Sequence, residues 1–313
     1  MLFANVGVGQ SASVTISGTT TYTYNGLSQF DLLSINISSS GGCSQSSLPT
    51  FTYSGTDFSG NSYNSSTAPT AAGNYQVFAS VLFNVCGTRL SNTISFIINK
   101  ATPTLSLTNS PLTYTANAQS ATVSSSVAGN FPTPLKYNGS TTIPTNAGTY
   151  TITADFVPSD VSNYNSSIDV SAGSFTINKA PVTISDILLT KAYDGTPTVN
   201  VISNSSSGII SSDNVAIQGS ATNFSDKIVA NNYSLTVTFS LTSSTGKESN
   251  YYISGSNPIL ITNGSITKLP ITLTASTNTK VYDGTVSATA TPTITTGALV
   301  SGDVGTYSET YDT

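Results

Sequence analysis

The sequence contains no histidine and no tryptophan, and its one methionine is Met1. Imidazole acid–base catalysis, serine–histidine triads and histidine metal sites are thereby excluded. Charge is scarce too: Asp, Glu, Lys and Arg make up 7% of the 313 residues, against a usual ~25%. Nine Lys plus Arg against fourteen Asp plus Glu leave a formal charge of −5. No basic face is available to neutralise phosphates, so neither nucleic acid nor an anionic membrane surface is expected as a partner. No apolar run approaches the ~18 residues that span a bilayer, so membrane insertion is not expected. The opening "MLFANVGVGQ" lacks the basic start and long apolar middle of a signal peptide, which reads as a targeting segment already removed or as an internal piece of a longer chain. Only two glutamates occur, Glu248 and Glu309, and neither has a partner carboxylate at a telling spacing. No enzyme and no cofactor are expected within these residues.

What is present is apolar and aromatic. Hydrophobic residues reach 37%, with 16 Tyr and 12 Phe, and uncharged Ser, Thr, Asn and Gly fill most of the rest. Disordered chains combine low hydrophobicity with high net charge, which is not this composition. The chain is expected to fold.

Self-similarity organises it. Three junctions read "FIINKATPTLSL" from Phe96, "FTINKAPVTIS" from Phe175 and "SITKLPITLTAS" from Ser265. Fourteen residues after each junction lysine (Lys100, Lys179, Lys268) stands a tyrosine, Tyr114, Tyr193 or Tyr282, and the same count back from Tyr24 lands on Gln10. A second anchor ends "PTAAGNY" at Tyr75, "PTNAGTY" at Tyr150 and the looser "KIVANNY" at Tyr233. The chain therefore divides into a first repeat 10–99, a second 100–178, a third 179–267 and an incomplete fourth 268–313. Residues 1–9 take the place of a preceding unit's last strand, or of a donor strand for a strand-exchanging filament. Thr313 falls inside a repeat, so the natural chain is expected to continue.

Strands are read from period-two alternation. "YSLTVTFSL" places Tyr233, Leu235, Val237, Phe239 and Leu241 on one face and only Ser and Thr on the other, and "YTITADF" repeats the alternation with Tyr150, Ile152, Ala154 and Phe156 inward. No 3.6-residue apolar period stands out, and Asn25-Gly26, Asn138-Gly139 and Asn263-Gly264 supply turn signals. The expected fold is all-β: tandem Ig-like β-sandwich domains in an elongated array, with β-grasp-like domains carrying a short helix as the alternative. A proline soon after each junction lysine stops one sheet from running into the next.

Several residues invite chemistry. "KAYDGT" from Lys191 and "KVYDGT" from Lys280 make Asp194 and Asp283 catalytic or calcium candidates. Asn-Gly follows Tyr24 where Asp-Gly follows Tyr193, an interchange that turn chemistry tolerates and acid–base chemistry does not. The aspartates are accordingly read as turn residues after an inward-pointing tyrosine. Asp160, Asp213 and Asp303 are loop candidates for calcium, without the dense acidic cluster that ion wants. Lys179, Lys191 and Lys280 are the lysines placed for an intramolecular isopeptide bond, and solvated strand-end charge is their simpler reading. Tyr22 and the pair Tyr251-Tyr252 are candidates to stack on sugars. Cys43 and Cys86, the only cysteines, are read as a disulfide, the alternative being two buried thiols.

The units with "YDGT", "SSDNVAI" or "SGDVGTY", and "ANNYSL" resemble the YDG-type repeat of bacterial surface proteins. Residues 100–178, with "LTYTANAQ", "PTNAGTYTITADF" and "FTINK", are similar to the related MBG-type repeat, and the first unit resembles both more loosely. The resemblance implies secreted or cell-surface, adhesin-like proteins of bacteria in which such repeats serve as stalk or binding modules, with no catalytic residues. Its implied partners are neighbouring copies of the chain, or host and extracellular glycans or proteins. Glycan-binding modules of a secreted carbohydrate-active protein are the alternative setting.

Overall fold

The computed structural model describes residues 9–199 and 202–312. The donor-strand expectation for residues 1–9 thus lies almost wholly outside the described residues. Among these, strands dominate, and the helical residues are two single 3₁₀ turns, Ser211–Asp213 and Lys247–Asn250. The β-grasp alternative needs a helix packed on its sheet, so the fold is all-β and sandwich-like. Contacts divide the chain into two compact units: Met1–Pro111 with Gln119–Pro144 and Thr149–Thr176, and Leu112–Ala118 with Thr145–Gly148 and Ile177–Thr313.

In the first unit, a sheet runs in the order Thr21–Thr23, Ile94–Asn99, Gly73–Asn84, Thr50–Asp57, Ser62–Ser65, and a two-stranded ribbon pairs Ser11–Gly18 with Leu32–Ser40. The long strand Gly73–Asn84 alternates strictly, burying Tyr75, Val77, Ala79, Val81 and Phe83. Val14 and Ile16 of the ribbon close onto that row to complete one core with Phe96 and Ile98. Burying each such Val, Ile or Phe contributes roughly 1.5–3 kcal/mol, so this row dominates the sandwich. On the outer face of the ribbon, serine hydroxyls pair across the strands: Ser11 with Ser40, Ser13 with Ser38, and Ser17 with Ser34. The same unit holds a smaller core around Tyr137, Ile152, Ala154, Phe156 and Phe175, all buried. There Asn138-Gly139 makes the expected turn, both residues having positive φ.

In the second unit, Ala180–Leu188 pairs antiparallel with Ser203–Ser207 and parallel with Tyr251–Ile253. A four-stranded sheet runs Thr190–Ala192, Ile259–Thr267, Ala230–Ser243, Val215–Ala221. Leu189, Tyr233, Leu235, Val237, Phe239 and Ile266 fill the core between them. Asn263-Gly264 is not a turn: it lies inside the strand Ile259–Thr267. Gly264 pairs with Tyr233, and a Cβ there would stand 2.4 Å from the Leu235 side chain. Close packing, not turn geometry, explains this glycine.

One connection recurs. Thr21–Thr23 runs parallel to Ile94–Asn99, Leu112–Thr113 to the end of Ser167–Asn178, and Thr190–Ala192 to the end of Ile259–Thr267. Each time, a short strand from early in a repeat pairs with that repeat's last strand. The residue that follows the short strand is Tyr24, Tyr114 or Tyr193.

Cys43 and Cys86 are joined as a disulfide with Cα atoms 5.7 Å apart and a sequence separation of 43. It ties the turn after Leu32–Ser40 to the turn after Gly73–Asn84, and so the ribbon to the main sheet. Replacing both cysteines with alanine is expected to lower the stability of residues 10–99 by ~2–4 kcal/mol, chiefly through the unfolded chain. Denaturant titration followed by circular dichroism checks this, and midpoints equal with and without reductant in the native protein contradict it.

Candidate functional site: the repeat tips

The residues that looked most chemical in the sequence gather around the first tyrosine of each repeat, which in the first three repeats ends a short parallel strand. The amide N–H of Tyr24, Tyr114 and Tyr193 donates to the carbonyl of Asn99 (2.8 Å), Asn178 (2.9 Å) and Thr267 (2.8 Å) respectively. A turn follows. Asn25 Oδ1 accepts the Leu27 N–H at 2.9 Å, Asp194 Oδ1 accepts the Thr196 N–H at 2.9 Å, and Asp283 Oδ1 accepts the Thr285 N–H at 3.0 Å. Asn and Asp make the same bond, which is why they interchange. The next residue has positive φ: Gly26 at 78°, Gly195 at 80°, Gly284 at 76°. In the second repeat Ala116 takes that place at 62°, a conformation its Cβ disfavours.

The third and fourth repeats add an ion pair. Lys191 Nζ lies 2.6 Å from Asp194 and Lys280 Nζ 2.8 Å from Asp283. The lysine and the Thr hydroxyl and amide bonds hold both carboxyls down to about 2. Lys191 also donates to the carbonyls of Thr196 and Thr198, and its side chain is only 7% exposed. This corrects the expectation of a solvated strand-end charge: the turn wraps the ammonium. Lys179 is exposed, and Lys191 and Lys280 face turn carboxylates, so none has the core setting an isopeptide bond needs.

The tyrosines were expected to point inward as anchors, and their outer ends do more. In the first unit, the ring of Tyr24 meets that of Tyr164 edge-on at 5.2 Å. In the second unit, Tyr114 meets Tyr251 in the same way at 5.4 Å. Tyr114 and Tyr251 both donate their hydroxyls to Asp213 Oδ2, at 2.7 and 2.6 Å, and Asp213 is buried. Burial and the neighbouring carboxylate raise both phenols, Tyr251 to about 12. Tyr193 donates to Asp303 Oδ1 at 3.0 Å. Tyr282 is the exception at 91% exposed. The groups facing its counterparts belong to a following repeat, and none faces it among the described residues.

The second-anchor turns reach the same places. Tyr75 and Tyr233 bond back to the carbonyls of Ala71 (3.0 Å) and Ile228 (2.6 Å), closing the turn before each long strand. Just ahead of the strand, the Ala72 N–H donates to Asn163 Oδ1 at 2.8 Å, within the first unit. Within the second, the Ala147 N–H donates to Asn250 Oδ1 at 2.7 Å. Asp160 Oδ2 accepts from Asn163 Nδ2 at 2.8 Å, which leaves the amide oxygen free to face Ala72.

The calcium candidates are thus hydrogen-bond acceptors. Asp160 serves Ser162 and Asn163, Asp213 two tyrosines, and Asp303 one. No group of three or more His, Cys, Asp or Glu able to hold a metal occurs among the described residues. The sugar-stacking candidates are also reassigned in part. Tyr251 is buried, and Tyr22 accepts the Asp31 N–H and packs edge-on against Phe96, while Tyr252 stays 49% exposed.

Missed in the sequence was the tripeptide Ser-Asn-Tyr, at 162–164 and again at 249–251. Its recurrence was visible, but nothing in one strand's alternation said that both side chains face a different repeat.

Residues 177–258 match the model of the YDG domain and residues 103–181 that of the MBG domain, in agreement with the motifs. No curated protein matches the chain.

Two outcomes follow from the turns. Ala116→Gly is expected to stabilise the second repeat by about 0.5–1 kcal/mol, as relief of left-handed strain outweighs the freer unfolded chain; a lowered melting temperature contradicts it. Because the Asp194 carboxyl titrates lower in the folded state, its contribution is present above the unfolded value near 3.8 and fades as pH falls towards about 2. Asp194→Asn keeps the turn bond and is expected to flatten that part of the acid-unfolding curve, whereas an unchanged curve removes the ion pair's role.

Proposed function

We propose that this chain is a non-enzymatic spacing segment of an extracellular bacterial protein, displayed on the cell surface or secreted, in which β-repeats act as a stalk that holds an adhesive contact away from the cell. The observation that carries this reading is how short the connections between repeats are, shortest at the second-to-third junction. The strand Ser167–Asn178 ends and Ala180–Leu188 begins with Lys179 alone between them. A one-residue connection gives little freedom for the modules to fold back. The YDG and MBG matches overlap at this junction, over residues 177–181, and support repeat modules of this kind.

The surface chemistry agrees. Hydroxyl-bearing strands with few charges suit contact with neighbouring copies or with extracellular glycans and proteins. Any such contact would use many weak polar groups, not one pocket.

Small-angle scattering of the full chain tests the spacing role. A globular chain of this length has a radius of gyration of about 20 Å, and a string of four β-modules each ~35 Å long is expected to exceed about 30 Å. A value near 20 Å overturns the stalk reading. A concentration-dependent rise would place lateral association beside it.

A further inference from the structure

We propose that Ser-Asn-Tyr and its aspartate form a socket that locks onto the tip of the preceding repeat, and that this lock couples the stability of one repeat to the next. The tip consists of two parts distant in sequence: the tyrosine that ends the short parallel strand, and the Ala-Gly turn that precedes the second anchor. The first repeat supplies Tyr24 and Ala72, the second Tyr114 and Ala147. The socket receives the tyrosine ring on its own tyrosine and the alanine N–H on its asparagine oxygen.

The two sockets are built differently and arrive at one geometry. In the second repeat the aspartate is Asp160, three residues before Asn163, and it orients the asparagine amide. In the third it is Asp213, far from Asn250 in sequence, and it takes the hydroxyls of both tyrosines instead. Ring distances of 5.2 and 5.4 Å and amide bonds of 2.8 and 2.7 Å nevertheless coincide. A buried carboxylate is costly without partners, and one of the two that satisfy Asp213 comes from the preceding repeat. Asn250 is buried as well, and its Nδ2 donates to Asn146 of the same tip.

The first repeat uses the corresponding asparagine differently. It carries Ser91-Asn92-Thr93 at the corresponding place. Asn92 is turned to its own ribbon, accepting the Ile16 N–H and donating to the Ile16 carbonyl, and threonine replaces the stacking ring. Ser-Asn-Tyr with an acid therefore marks a repeat that is locked to its predecessor, whereas the asparagine of Ser-Asn-Thr serves its own repeat.

The inference deepens the spacing reading by naming what joins the modules, yet it fails separately from it. Hydrogen exchange on the full chain, read on opposite sides of the joint, provides the test. Tyr114→Phe deletes one hydroxyl from the second repeat, and exchange is expected to speed up ~10-fold around residues 210–214 of the third, as loss of a bond to a charged group implies. Asn250→Ala in the third repeat is expected to speed exchange at the Ala147 turn of the second, and Asn163→Ala to do the same at the Ala72 turn. In each case the long strands 73–84 and 230–243 should stay protected. Changes confined to the mutated repeat, or none at all, overturn the lock. A compact particle in scattering with the cross-joint effect intact would overturn the stalk and leave the lock standing.

Discussion

In the first three repeats the position of the tip tyrosine depends on a parallel ladder of two or three residues. Without it, the tyrosine fourteen residues into a repeat would end an isolated strand. Pairing Thr21–Thr23, Leu112–Thr113 and Thr190–Ala192 with the closing strand of the same repeat carries the chain across to the end where that repeat hands over to the next. Parallel pairs need a long crossover, and here the crossover is nearly the whole domain. The ladder therefore joins residues from the two ends of a repeat, which ties the position of the tip tyrosine to the closed sandwich and leaves only the turn after it to local sequence.

That dependence explains why polar groups are tolerated at the tips. Asp213 is a buried acid in a chain with very few charges, and its partners are phenols and not an arginine or lysine. Two neutral donors stabilise the carboxylate without adding a second buried ion, avoiding the desolvation of a cation. They also demand position: a hydroxyl at 2.7 Å is useful, and one displaced by an ångström is not. Lys191 and Asp194 show the contrasting, local solution, in which ion pair and turn lie within four residues and need no neighbouring repeat.

Much of the fold was legible in the sequence for a physical reason. Alternation in Tyr233 to Leu241 and in Tyr150 to Phe156 reports burial directly, because a strand has only two faces. The Asn25/Asp194 interchange was legible too, since one side-chain oxygen makes the bond in both cases. Asn263-Gly264 misled because the dipeptide that favours a turn also suits a strand squeezed against Leu235 and Tyr233. The reach of Tyr114 to Asp213 was not legible at all. It joins residues 99 positions apart in different repeats, and no periodicity within either one encodes it.

The scarcity of charge has a structural counterpart in the ribbons. Neither Ser11–Gly18 nor Leu32–Ser40 carries a charge or a proline, the usual means of discouraging an exposed edge from pairing. Instead, cross-strand hydroxyls bond to one another at Ser11/Ser40, Ser13/Ser38 and Ser17/Ser34, and Ser106/Ser124 repeats this in the second repeat. Asn92 covers the Ile16 backbone on the outer edge of one strand. Polar satisfaction thus replaces charge repulsion, and a surface built this way keeps its character across salt concentrations because there is little charge to screen. The same residue type that covers an edge in the first repeat receives an alanine N–H in the second and third. Asparagine, able to donate and accept at once, is the side chain that lets one sequence position serve as an edge cap or as a joint.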